Sequence, residues 1–306
     1  MNKTLHYTIK PEEAGLTVGC FLRKQGYSRH ILTHLKQTEH GICLGSAPVY
    51  TSAILRSGDR LTVRIIEEHS SGQIQPAALP FPIVFEDEDI LVIDKPAGMP
   101  VHPSQGNHGN TLANSAAWYF HQQGVPYVFR CINRIDRDTS GLLILAKHML
   151  SAAVLSKDLK EHRIRRTYLA MTTGRLTPGE GTVRAPIGRC PHSILERQVD
   201  PLGEEAVTHY RVLVSSDQAS LASFSLETGR THQIRVHMKY LGHPLLGDFL
   251  YNPGNHDCPR QALHSCRLEF SHPISGKMLT FTCPLPDDMK ACLKRFFPGQ
   301  DATLLF

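Results

Sequence analysis

Five consecutive residues, Arg134-Ile135-Asp136-Arg137-Asp138, set two guanidinium groups beside two carboxylates. They stand directly before the turn-forming Thr139-Ser140-Gly141 and the apolar run Leu142-Leu143-Ile144-Leu145-Ala146. Carboxylates this close to a buried strand need partners, because an unpaired charge is costly to bury. A carboxylate so held stays ionised and can serve as a nucleophile or a base. Asp138 with Thr139-Ser140-Gly141 reads equally well as a plain turn stabilised by side-chain bonds to the backbone. A second segment, Glu227-Thr228-Gly229-Arg230-Thr231-His232-Gln233-Ile234-Arg235-Val236-His237, places Arg230, His232 and Arg235 where a carboxylate or phosphate could be met. A third, Arg163-Ile164-Arg165-Arg166-Thr167-Tyr168-Leu169-Ala170, is a basic stretch running into a strand that carries a tyrosine. Each of these two alone is also readable as a solvated face or a packed strand.

Other chemistries find less support. His256-Asp257-Cys258 and His264-Ser265-Cys266 repeat a His-x-Cys pair, but their separation is no zinc spacing, and a strand at the second pair would point alternate residues to opposite faces. The acidic run Glu86-Asp87-Glu88-Asp89 reads as a hairpin tip facing water. Neither a Gly-x-x-x-x-Gly-Lys loop nor a Gly-x-Gly-x-x-Gly fingerprint occurs. No metal and no small-molecule cofactor is expected.

The elements that must position these residues fall into two groups. Residues 1–68 form a small N-terminal module. Within it Val18, Phe21 and Leu22 lie at helical spacing, and Ser28 caps a second helix with Ile31, Leu32 and Leu35. A strand near 42–45 follows, then Gly58-Asp59 turns into Leu61, Val63 and Ile65, which alternate with polar residues. The predicted order is helix, helix, strand, turn, strand. Residues 69–81 have linker composition. Residues 82–306 form the larger domain, opening with a hairpin of Ile83-Val84-Phe85 and Ile90-Leu91-Val92-Ile93. Strands are predicted at 141–146, 167–171, 207–213, 221–227, 232–237 and 277–282, with helices near 111–122 and 149–161. The fold class is α+β: a mixed, largely antiparallel sheet with flanking helices, preceded by a small α/β module.

The 306 residues carry 33 Lys and Arg against 28 Asp and Glu, a net charge of +5, with 18 His in reserve. That excess permits a polyanionic partner without demanding one, since clustering decides affinity. Hydrophobic residues make up 41%, enough for a substantial core. No apolar stretch suits a signal peptide or a membrane span. The eight cysteines form no CxxC pair and read as reduced thiols, so a cytoplasmic protein is expected.

Taken together and in order, the segments resemble the RluA-type family of pseudouridine synthases, which modify ribosomal and transfer RNA. The resemblance spans nearly the whole chain. Glu86–Pro103 looks like the family's opening hairpin and loop, and Asn133–Lys147 like its catalytic-aspartate motif. Arg166–Gly174 looks like its tyrosine strand, Gly229–His237 like its arginine motif, and Arg260–Pro273 like its closing strands. Carried over by position, the resemblance implies that Asp136 is the catalytic aspartate, Tyr168 the tyrosine against the target base, Arg230 the arginine paired with that aspartate, and Arg134 the arginine beside the flipped nucleotide. Asn133 stands where many members have His, Ile135 where many have Leu, and Asp94 where Asn is frequent. The N-terminal module resembles the small RNA-binding domain preceding the catalytic domain in many of these enzymes, with Ser28, Arg29, Gly41, Gly58 and Asp59 matching. Leu44-Gly45 lacks the Asn usual in that turn.

What the resemblance implies is an isomerase acting on structured RNA, ribosomal or transfer; a monomer is expected. The reaction breaks the bond between ribose C1′ and uracil N1, turns the base, and joins C5 to the sugar. A carboxylate aimed at base or sugar could start it. An arginine about 4 Å away would contribute on the order of 4 kcal/mol at an effective dielectric near 20, before desolvation. Arg29, Arg163, Arg165 and Arg166 are expected to meet phosphate, which would make binding salt-sensitive. Two rivals stand beside this reading: a non-catalytic RNA-binding or ribosome-assembly protein on the same scaffold, and a metal-dependent hydrolase built on the histidines.

Overall fold

The computed structural model describes residues 1–300. Its N-terminal part is a four-stranded sheet backed by two helices. The elements are β1 (Asn2–Thr8), α1 (Val18–Lys24), α2 (Arg29–Gln37), β2 (Ile42–Leu44), β3 (Ala47–Pro48) and β4 (Arg60–Ile66), with strand order β1-β4-β2-β3. Both helices start on a side-chain cap: Thr17 accepts from Cys20 N–H and Ser28 from Ile31 N–H. The Ser28 cap and the apolar spacing were legible in sequence; the Thr17 cap and β1 were not. Only Leu5 of its seven residues is fully buried, with Lys3 and Tyr7 half-buried on the same face, and its pairing with β4 from Asn2–Ile66 to Thr8–Arg60 is what makes it a strand.

Residues 67–82 contain no helix or strand, as linker composition suggests, yet they are fastened down. Ser71 N–H donates to Tyr127 O at 3.1 Å and Ala77 N–H to Asn114 O at 3.1 Å, while Leu79 and Phe81 pack on the core of the larger unit. Ion pairs reinforce the join. Lys3 Nζ lies 2.7 Å from Asp89, and Arg130 pairs with Glu67.

The larger unit contains β5 (Ile83–Glu86), β6 (Ile90–Lys95), α3 (Leu112–Gln122), β7 (Ser140–Ala146), α4 (Met149–Lys160), β8 (Arg165–Thr173), β9 (Glu180–Arg184), β10 (Ile187–Arg189) and β11 (Arg197–Val199). It continues with β12 (Val207–Ser215), β13 (Ala219–Leu226), α5 (Gln233–Tyr240), β14 (Leu263–Ser271), β15 (Met278–Thr282) and α6 (Asp287–Phe296). Nine strands form one sheet in the order β5-β6-β7-β14-β8-β13-β12-β9, with β15 paired to β14. Every pairing is antiparallel except β14 with β7. The mixed, antiparallel-rich α+β architecture is therefore the one the sequence predicts. β10 and β11 make a separate two-stranded ribbon.

β6 and β7 are buried on both faces, which is why they read as continuous apolar runs. Ile90, Val92, Leu142 and Ile144 face one core with Leu155 of α4; Leu91, Ile93, Leu143 and Leu145 face the other with Leu112, Ala116 and Phe120 of α3. At the start of β7 the backbone of Gly141 has φ +114°, and a Cβ there would lie 2.3 Å from Ser265 O. Only glycine permits β7 to run that close to β14. This contact fixes the loop 133–139 just upstream.

Three expectations need correction. Residues 232–237 are not a strand: Gln233–Tyr240 is helix α5. Its residues Gln233 to Met238 are all buried, so no polar face marks a helical period and the alternation of Ile234 with Val236 mimics a strand. Cys258 and Cys292 are joined as a disulfide, so the reduced-thiol reading does not hold for this pair. Packing of α6 beside the loop before β14 brings their Cα atoms to 6.2 Å across 34 residues, a proximity no sequence spacing reveals. The acidic tip does not simply face water either, because Asp89 is buried between Lys3 and His148, and Asp87 bonds His272.

Candidate active site

Asp136 sits in the loop between Cys131 and β7, and two features hold that loop. Lys95 at the end of β6 is wholly buried, and its Nζ donates to Pro96 O, Met99 O and Arg137 O at 2.7, 2.8 and 2.9 Å. Burial lowers its pKa to about 7, against the pull of nearby Asp138. Asn133, three residues before Asp136, is also buried, and its Oδ1 accepts from Ile144 N–H at 3.0 Å. It works as a clip between loop and β7.

The partner of Asp136 is Arg235. Arg235 Nη1 donates to Asp136 Oδ2 at 2.9 Å, while Nε and Nη2 of the same guanidinium donate to Asp248 Oδ2 and Oδ1 at 2.7 and 2.8 Å. Burial works against the charge on Arg235, but its bonds to Asp248 and the charge of Asp136 outweigh burial and raise its pKa. Its guanidinium carbon also lies 4.9 Å from the centre of the Tyr251 ring. The expected pairing of Asp136 with Arg230 is thus corrected. Arg230 Nε donates to Glu205 O at 2.9 Å and its Nη1 pairs with Glu204. The reason is the helix: α5 begins at Gln233, so Arg235 projects into the core within its first turn while Arg230 stays in the preceding loop at the cleft rim.

Asp136, Tyr168, Arg134, Arg166 and Arg230 line one cleft, partly open to solvent, together with Thr139, His232 and Arg235. It continues into a wider groove bordered by His102, Arg134, Lys160, His162 and Arg166. Tyr168 lies on β8 with its side chain toward Ile234 and Leu263. Burial raises its hydroxyl pKa, with Arg166 opposing. The hydroxyl therefore keeps its proton near neutral pH. Arg166 is largely buried, and its Nε has no hydrogen-bond partner; nor has Thr139 Oγ1. Arg163 is turned away, bonded to Asp158 at 3.0 Å and paired with Glu161. Arg165, at the start of β8, and Arg29, the first residue of α2, are exposed and do not line the cleft.

Neither His-x-Cys pair converges. His264 Nε2 lies 3.1 Å from Cys283 Sγ, while Cys266 Sγ donates to Thr167 O at 3.3 Å. Two other groups bring three possible metal ligands together, Asp94-His264-Cys283 and Asp87-Asp89-His272. In the second, Lys3 and His148 already occupy Asp89.

Asp248, Tyr251 and Lys95 were not singled out from sequence. Gly247-Asp248 before a turn was a usable cue for a carboxylate capping backbone N–H groups, whereas Lys95 gave no sign of burial.

The fold and the paired aspartate define a class. Residues 89–240 match the family described as RNA pseudouridylate synthase. The chain is 40% identical over 279 residues to the protein named Uncharacterized RNA pseudouridine synthase YjbO of Bacillus subtilis, covering 91% of this chain and 99% of that one. It is 37% identical over 316 residues to Ribosomal large subunit pseudouridine synthase D of Neisseria meningitidis, covering 97% and 83%. Among solved structures, Human RNA Pseudouridylate Synthase Domain Containing 1 aligns with a TM-score of 0.58 at 26% identity, over 71% of this chain and 89% of that one. The chain belongs to the RNA pseudouridylate synthase family. It is an RNA pseudouridine synthase, an isomerase, as the sequence motifs imply. Among the described residues no helix is long and apolar enough to cross a membrane.

Proposed function

We propose that the protein converts specific uridines of structured RNA to pseudouridine, with Asp136 as the essential carboxylate and no added cofactor. The observation that carries this reading is the state of Asp136. One of its oxygens is held by Arg235, and its side chain remains 22% exposed to a cleft lined by Tyr168, Arg134 and Arg166. A held yet accessible carboxylate is what attack on a sugar or base, or removal of a sugar proton, requires. A uridine reaching it must leave its stack, at a cost of roughly a few kcal/mol. Arg134, exposed at the cleft edge, is placed to fill the vacated space, and Tyr168 to pack on uracil at about 1–3 kcal/mol. Phosphates meet Arg166 in the groove, Arg165 is an exposed cation outside it, and Arg163 contributes less because its charge is already paired. Arg29 belongs to the N-terminal module, whose role is to hold flanking RNA. The names of relatives such as the Neisseria protein point to large-subunit ribosomal RNA as the first substrate to try.

Purified protein and its Asp136→Asn variant would be incubated, without metal or cofactor, with total RNA from cells lacking the gene, and new pseudouridines mapped. Sites appearing with the native protein and none with the variant are expected. RNA binding without any new pseudouridine would leave a binding protein on a synthase scaffold.

A further inference from the structure

His232 stands at the mouth of α5 with a left-handed backbone, φ 60° and ψ 19°, a conformation uncommon for residues other than glycine. No side-chain cap explains it. Its ring packs edge-on against Tyr251 with centroids 5.6 Å apart and lines the Asp136 cleft.

Hydrogen-bond accounting fixes where the imidazole proton lies. Tyr251 is buried, and its oxygen accepts the N–H of Arg197 at 2.8 Å. The hydroxyl proton then needs an acceptor, and His232 Nδ1 lies 2.8 Å away. A bond from the hydroxyl to Nδ1 satisfies all three groups; with the opposite tautomer the phenolic oxygen would accept from both Arg197 N–H and Nδ1–H and its own proton would be left without an acceptor. The imidazole proton is therefore on Nε2, the nitrogen 3.9 Å from Asp136 Oδ2. That separation is too long for a hydrogen bond, so the donor is not spent on the carboxylate. Burial holds the ring neutral, with Asp136 opposing.

Resting on the Asp136 reading above, we propose that His232, locked as the Nε2–H tautomer by Tyr251, is a catalytic hydrogen-bond donor to the uracil of the target nucleotide. When C1′–N1 breaks, the bonding electron pair stays with uracil and spreads from N1 onto O2 and O4. The new C5–C1′ bond then forms, the proton lost from C5 is matched by one gained at N1, and nothing is oxidised or reduced. A donor beside the carboxylate that engages the nucleotide meets O2, the oxygen next to the breaking bond. A neutral N–H stabilises that charge without surrendering its proton, as preorganised donors do elsewhere.

The test pairs kinetics on the mapped RNA site with 15N NMR of histidine-labelled protein. His232→Ala and His232→Asn should lose about 100-fold in kcat with KM nearly unchanged. His232→Gln, whose amide nitrogen reaches the Nε2 position, should recover at least about tenfold of that, and Tyr251→Phe, which keeps the ring, should lose roughly tenfold and show mixed tautomers. Native His232 should show the Nε2–H signature. An Nδ1–H signature, or a Gln variant no better than Asn, overturns the proposal while leaving the synthase reading intact. Native protein that forms no pseudouridine removes both.

Discussion

Two carboxylates share the guanidinium of Arg235, and the protein treats them differently. Asp248 is fully buried and saturated: beyond its two bonds to Arg235, its Oδ1 accepts from Leu250 N–H and Tyr251 N–H, each at 3.1 Å. Asp136 has one oxygen held by the same arginine at 2.9 Å and keeps 22% of its side chain in the cleft. Asp248 has no capacity left for chemistry, and Asp136 has some. The same residue type on the same cation is thus an anchor in one case and a candidate reagent in the other, and what separates them is the number of satisfied lone pairs and access to solvent.

Exchanging each carboxylate for its amide breaks the comparison most sharply. Asp136→Asn should abolish pseudouridine formation by on the order of 10⁴-fold, while a denaturant melt moves little. Asp248→Asn should do the reverse in origin: breaking a buried pair costs about 3–5 kcal/mol of stability, visible in the same melt, with activity lost because Arg235 is no longer held. If Asp136→Asn destabilised as much as Asp248→Asn, the distinction would collapse. Arg235→Lys should hurt on both counts, since an ammonium cannot make the three-way fork; a loss of about 100-fold in rate together with about 2 kcal/mol or more in stability is expected.

A milder test concerns a third saturated group. His264 bonds Ser140 Oγ at 2.9 Å and Cys283 Sγ at 3.1 Å, and burial lowers its pKa to about 4. A histidine with a depressed folded pKa takes up fewer protons folded than unfolded. Its contribution is therefore complete above the ordinary value of 6.5 and is lost as pH falls toward 4. The loss is on the order of 3 kcal/mol at pH 4, and His264→Gln should flatten that part of a stability-against-pH curve. The smallest effect is expected from Arg230→Ala. Its charge is already paired with Glu204 at the exposed rim, so the rate should fall only about threefold. A loss as large as that of Arg235→Lys would restore Arg230 to the carboxylate.

How much of this was legible beforehand depends on the range of the interactions. The doubly buried strands of the sheet were readable because burial on both faces leaves uninterrupted apolar runs, and the start of α2 because the Ser28 cap is local. Asp136 stood out because its neighbours in sequence are charged and the strand after it is not. Arg230 and Arg235, five residues apart, were both visible, and position along the chain could not choose between them. Only the conversion of 233–240 into a helix, itself hidden by burial on every side, turns Arg235 toward Asp136.

The sequence alone determined the α+β class and the RNA pseudouridine synthase reading, and it singled out Asp136 as the candidate carboxylate, because each rests on local patterns or on motifs whose order survives in the chain. The tertiary structure decided which arginine meets Asp136, that Asp248 saturates the far side of that arginine, that Tyr251 orients His232, and that Cys258 reaches Cys292. These are contacts between residues from 13 to 99 positions apart. At such separations no periodicity or spacing carries the information, and proximity is set by how strands and helices pack.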